Sequence, residues 1–353
     1  MTDDDLRAAV SAGIVSESQA ARLVALSQSR AGTRAALAGD DEPFELFRGF
    51  SEIFISVGLV ILMSGIVGLS TLSGQVLAVA LTGVVLSVAL ALYFTRRRRM
   101  VLPSIVLTCA FGLSLSAVVL WGLGLANASQ VPATTTILGV GAAIIAGLAV
   151  WFWQFKVPFT MFLIGATALV ALLLSISTAA PVALYLDWTT LFDLGQGSRL
   201  AIGTLAFGIV AFIAGMAFDM RDPHRIGRYS ASGFWLHVLA APALVNTVAI
   251  TFLNRDSAGG YAGLAVSLLV ITLLALVIDR RSFLTAGIGY LGVLLGLVLT
   301  PEGGGGPLNW AAVMIVLGGF ITLTGAFWTA WRGALLRALP EFPGKDRLPP
   351  YGQ

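Results

Sequence analysis

Between residues 51 and 331 the chain repeats one pattern ten times: an apolar run of about twenty residues, closed at each end by polar or basic residues. A hydrocarbon core of ~30 Å is crossed by about 20 helical residues, so each run has the length of one crossing. The runs fall at 51–70, 74–95, 101–125, 133–153, 157–178, 199–219, 230–251, 258–278, 282–300 and 308–331. In hydrocarbon every backbone N–H and C=O must find its partner within the protein, which makes helix the conformation for such runs. The pattern predicts an all-α, polytopic bundle of ten transmembrane helices. Composition agrees, because 57% of the residues are hydrophobic and only 11% charged, more apolar surface than a water-soluble fold can cover.

Orientation follows from Lys and Arg at the span ends. With the N-terminus inside, ten crossings place 19 of the 21 basic residues in cytoplasmic segments and leave Arg199 and Arg255 outside. Both termini are therefore expected in the cytoplasm. The formal net charge of +3 does not point to nucleic acid. Residues 1–50 carry five Arg against eight Asp and Glu, so the first segment repels phosphate.

Three parts follow. Residues 1–50 read as a cytoplasmic helical hairpin and an interfacial lead-in. Asp3–Ala12 forms a first helix stopped by Gly13, Ser16 with Gln19 forms a capping box for a second, and Phe44, Phe47 and Phe50 lie along the inner surface. The hairpin at residues 1–40 is either a cap on the bundle or a docking site for a protein partner. Residues 51–331 are the membrane domain. Its one long outer connection, 180–197, reads as an interfacial helix with Asp187 and Asp193 turned from its apolar side. Residues 332–353, rich in proline, read as a cytoplasmic tail.

The chain offers little for catalysis. Cys109 is its single cysteine, so a disulfide or a cysteine-based metal site is not expected, and neither is a cofactor. HExxH, GxSxG, Walker and dinucleotide-binding motifs are absent, and no span carries a carboxylate at its middle, so the reading leans away from an enzyme. The seventh span, RYSASGFWLHVLAAPALVNTVAI from Arg228, is the exception to blandness. It holds Pro242, which leaves the Val238 carbonyl without its helical donor, and His237, a titratable side chain within an apolar run. One reading is structural, with His237 bonded to a neighbouring helix. The other makes His237, Trp235, Pro242 and Asn246 a substrate-binding group in a central cavity. Asn246, nine residues from His237, joins it only if a kink rotates the upper half of the helix. Asp219, Arg228, Asp279 and Arg280, at the inner span ends, read as solvated topology charges or as an inner gate built from Asp219 and Arg228.

Small residues four apart mark close helix contacts: Gly139, Ala143 and Gly147; Ala211 and Gly215; Gly292 and Gly296. The stretches DLRAAVSAGIVSESQAARLV, DPHRIGRYSASGFWLHVLAAPALVNTV and LLRALPEFPGKDRLPP resemble uncharacterised bacterial multi-pass inner-membrane proteins of the domain-of-unknown-function kind. The resemblance implies a bacterial inner membrane and no particular activity. Two functions remain open: a permease or flippase for a small neutral or lipophilic solute, or a non-transporting scaffold, assembly factor or sensor. A polar cavity beside His237 distinguishes the first from the second.

Overall fold

The computed structural model describes residues 9–16, 19, 50–124, 132–179, 192–223, 225, 227–299 and 307–349; among them every regular element is helical and there is no strand. The chain divides into a first unit, 1–44, and a second, 45–353. In the first unit Gly13 takes φ +71° after a helical turn, and its N–H donates to the Val10 carbonyl. The capping box forms as well: Ser16 N–H donates to Gln19 Oε1 at 2.9 Å and Gln19 N–H to Ser16 Oγ at 3.3 Å. The remainder of the hairpin and of the lead-in, apart from Phe50, lies outside the described residues.

The second unit is a helix bundle: α1 (Phe50–Ser70), α2 (Val76–Ala91), α3 (Val101–Val119), α4 (Ala133–Phe155), α5 (Thr160–Ala179), α6 (Arg199–Asp219), α7 (Arg228–Leu253), α8 (Ala258–Ile278), α9 (Ser282–Leu299), α10 (Pro307–Ala326) and α11 (Trp328–Ala338). π-helical turns extend α2 over Leu92–Arg97 and α3 over Leu120–Gly124. Helices α1 to α8 are long and apolar enough to cross a membrane. The apolar stretch of α9, Ser282–Leu297, is shorter. The tenth expected span, 308–331, is cut short: α10 ends at Ala326, the chain turns at Phe327, and α11 leaves α10 at 72°. Trp331, Arg332 and Arg337 make the stretch after Ala326 amphipathic, and a helix of that kind lies against the bundle better than it crosses lipid.

The spans show the surface of a protein solvated by lipid. Ile61, Val85, Val150, Val210 and Ile315 are each more than 60% exposed, where a water-soluble helix would turn such residues inward. Many hydroxyls within the spans are satisfied locally. Thr82, Ser87, Thr108, Ser116, Thr167, Thr204, Thr247 and Ser267 each donate to the carbonyl four residues earlier, at 2.7–2.9 Å, so they cost little in hydrocarbon.

Helix α7 lies at the centre. In its apolar window 61% of residues are buried, against at most 39% in the other crossings, and it packs on α5, α6, α8 and α9. One apolar core joins α1 to α5 and reaches Trp235; a second joins α6 to α9 and Trp328 of α11. Close approach depends on specific glycines. A Cβ on Gly147 would stand 2.5 Å from Leu115, and one on Gly141 2.8 Å from Ala171, whereas a Cβ on Gly139 or Gly296 meets nothing within 4 Å. Of the expected stripe, Gly147 is a close contact, against α3, and Gly139 is not; Gly141, outside the stripe, makes the close approach to α5.

Residues 332–353 do not form a detached tail over their described part. Arg332, Leu336, Lys345 and Leu348 are buried, Arg332 donates to the Pro349 carbonyl at 2.6 Å, and Lys345 to the Leu339 carbonyl at 3.0 Å. Of the outer connection 180–197, residues 180–191 lie outside the described set. Phe192 and Asp193 are buried, and Asp193 accepts from Gly195 N–H at 2.7 Å and Asn254 Nδ2 at 3.0 Å, an inward placement opposite to the expected one.

Candidate functional site

Three polar side chains from three parts of the chain meet where α6 ends, α7 begins and α8 turns into α9. Asp219 is the last residue of α6, His237 stands in the third turn of α7, and Arg280 lies between α8 and α9. All are buried: Asp219 is 6% exposed, Arg280 1% and His237 0%. Arg280 grips the carboxylate with two donors, Nη2 to Oδ1 at 2.6 Å and Nε to Oδ2 at 3.0 Å. This fork geometry is the strongest available to an Arg–carboxylate pair. His237 Nε2 stands 3.0 Å from Oδ2. An ionised carboxylate only accepts, so Nε2 carries the proton. Arg280 Nη2 also donates to the Ser230 carbonyl at 2.9 Å and reaches Ser230 Oγ at 3.3 Å.

With His237 neutral, the Asp219–Arg280 pair sums to zero charge, and both ions are hydrogen-bonded, which is the condition for burying them. Glycines make the space. A Cβ on Gly215 would lie 2.8 Å from His237 Cε1, and one on Gly233 would lie 3.0 Å from the Gly215 carbonyl and closer still to Asp219. Phe212 and Phe283 close over the imidazole edge-on, with centroids 5.6 and 5.8 Å from it. Gly215 was expected as a packing position; its role is to admit a ring rather than a backbone.

The adjacent residue builds a second network. Asp279 adopts φ +57°, and the partners of its carboxylate differ from those of Asp219. It pairs with Arg225 Nη1 at 3.0 Å, accepts from Trp328 Nε1 at 2.7 Å and lies 3.8 Å from Arg332 Nε. Arg281 stacks over the Trp328 ring at 5.4 Å. The turn Asp279–Arg280–Arg281 therefore ties α6 and α7 on one side to α11 on the other.

The sequence-derived group does not converge. Trp235 packs with Phe159, Phe162 and Phe234. Asn246 accepts from the Tyr290 hydroxyl of α9. Pro242 is exposed, within a helix continuous from Arg228 to Leu253. At about 100° per residue, positions 235, 242 and 246 point away from 237, and no break in α7 rotates them back. The expected Asp219–Arg228 gate is also replaced. Arg228 is exposed, and Asp219 is held by Arg280 and His237, so Asp219 and Arg280 belong to a buried cluster and not to a solvated face. Ser230 and Trp328 were not singled out from the sequence, and Arg225 was read there as one of the solvated charges at the span ends; the polar composition of the first two turns of α7 was the available signal for Ser230.

Two shallow hollows among the described residues lie elsewhere. One, of about 300 Å³, is lined by Leu194, Gly195, Val248, Thr251, Phe252 and Arg255 at the opposite end of α7. The other, of about 270 Å³, lies between α1 and α3. Among the described residues no three His, Cys, Asp or Glu side chains group to hold a metal. Comparison of the chain with protein-family models, with curated proteins and with solved structures found no match. The fold and its surface make this an all-helical, multi-pass integral membrane protein.

Proposed function

We propose that this chain is a non-transporting scaffold or sensor of the bacterial inner membrane, with ten crossings and both ends in the cytoplasm, and that residues 1–40 dock a protein partner. The division of basic residues, 19 against 2, supports the orientation. The observation that carries the function is the closure of the His237 site. A permease must bring its binding residues to water from both sides in turn, whereas His237 is fully buried and walled by Gly215, Phe212, Phe283 and Asp219. A buried, charge-balanced cluster joining α6, α7 and the α8–α9 turn suits a part that holds one arrangement.

Cysteine labelling tests this. Ala241 is fully buried one turn beyond His237, so Ala241→Cys in a Cys109→Ala background probes the same wall without touching the cluster. The scaffold reading expects no reaction with an aqueous maleimide in permeabilised membranes until the protein is unfolded. Reaction on the folded protein reveals a water-filled state of the core and restores the permease reading.

A further inference from the structure

The hollow between α1 and α3 is lined by Ile53, Ser56, Val57, Val60, Ile61, Leu102 and Val106, and its exposed lining is wholly apolar. Val57, Val60 and Ile61 are 48–68% exposed, so the groove opens outward, to the bilayer and not into the bundle. Its mouth is fixed by Glu52. This buried carboxylate accepts from Val101 N–H at 3.2 Å and Leu102 N–H at 3.1 Å, capping α3 and setting Ile53 and Leu102 at one level.

That level is the most basic on the chain. Arg96–Arg99 fill the turn from α2 into α3, all four are exposed, and Arg99 stands three residues before Leu102. Arg99 adopts φ +54°, which turns the chain sharply at the mouth, and Arg98 Nε donates to the Tyr93 hydroxyl at 3.2 Å. Among the described residues, the carboxylate at this level, Glu52, is engaged with backbone N–H groups. One turn deeper, Ser56 is 4% exposed, and its hydroxyl, like those of Thr160 and Ser282, has no hydrogen-bond partner among the described residues.

We propose that this groove is a binding site for an anionic phospholipid. The phosphate sits at Arg96–Arg99, and one acyl chain lies along Val57, Val60, Ile61 and Val106. Positive charge and an apolar trough follow in the order of headgroup and chain in a lipid. Basic residues just outside a crossing attract anionic lipid in general; the trough adds a fixed position.

The test uses the full chain in phosphatidylcholine vesicles carrying a trace of phosphatidylglycerol with a photoactivatable acyl chain, or the matching phosphatidylcholine probe. Adducts are mapped by mass spectrometry. Phosphatidylglycerol adducts should concentrate on residues 53–61 and 102–106, and the phosphatidylcholine probe should not enrich there. Arg96→Gln with Arg97→Gln should lower the enriched adduct by roughly tenfold or more, given about fivefold per basic residue near an anionic surface. Val60→Phe, which fills the trough without altering charge, should abolish the enrichment while the protein stays monodisperse. Equal labelling by both probes overturns the proposal, and so does phosphatidylglycerol labelling that is indifferent to Val60→Phe, which reports diffuse attraction only.

Discussion

Removing Asp219 and Arg280 together should disturb the protein less than removing either alone. The two charge centres sit about 4 Å apart, which at an effective dielectric of about 20 gives an attraction near 4 kcal/mol. Asp219→Asn keeps the shape but leaves Arg280, 1% exposed, with a buried charge and no carboxylate, at an expected cost of about 3–5 kcal/mol. Arg280→Met strands Asp219 beside His237 and costs about as much by the same reasoning. The double variant leaves neither ion, and the thioether chain fills much of the volume, so about 0–2 kcal/mol is expected. The coupling between the sites is then about 4 kcal/mol or more, against under about 1 kcal/mol for a solvated pair. SDS titration in mixed micelles, followed by circular dichroism, measures all four proteins. Two single variants each costing under about 1 kcal/mol, with additive effects, would refute the claim that the cluster is desolvated.

Further outcomes follow from the same contacts. Gly215→Ala places a methyl against an imidazole that Phe212 and Phe283 prevent from moving, so a loss of about 1–3 kcal/mol is expected in the same titration. Gly139→Ala, with open space around it, should be neutral or up to about 1 kcal/mol stabilising, since alanine is the better helix former. Glu52→Gln keeps an acceptor at the start of α3 but removes its charge from the helix N-terminus, a loss of about 0.5–1 kcal/mol by thermal unfolding in detergent. Arg332→Ala removes the donor to the Pro349 carbonyl and should speed proteolysis within residues 339–349; an unchanged cleavage rate would show that this contact does not hold the segment.

Individual residues show why some of this was readable and some was not. The spans were visible because a bilayer enforces about twenty apolar residues per helix whatever the helices pack against. Gly13 and the Ser16–Gln19 box were visible because their bonds close within five residues. The break at Phe327 left only a faint trace, an amphipathic stretch after an apolar run, and the hydropathy of Trp328 and Trp331 concealed it. Asp219 and Arg280 carried no trace of their burial. A charge at the end of a span looks the same in sequence whether water or a buried guanidinium meets it.

From its residues alone this chain was bound to be an all-helical membrane protein with basic turns at one end, because solvent and helix length are local constraints. The meeting of Asp219 with a histidine 18 residues away and an arginine 61 residues away belongs to the tertiary fold. So does the parting of His237 from Trp235 and Asn246. Both depend on how α6, α7 and the α8–α9 turn rotate about their axes, and those rotations are fixed by where Gly215 and Gly233 leave room for a side chain from another helix.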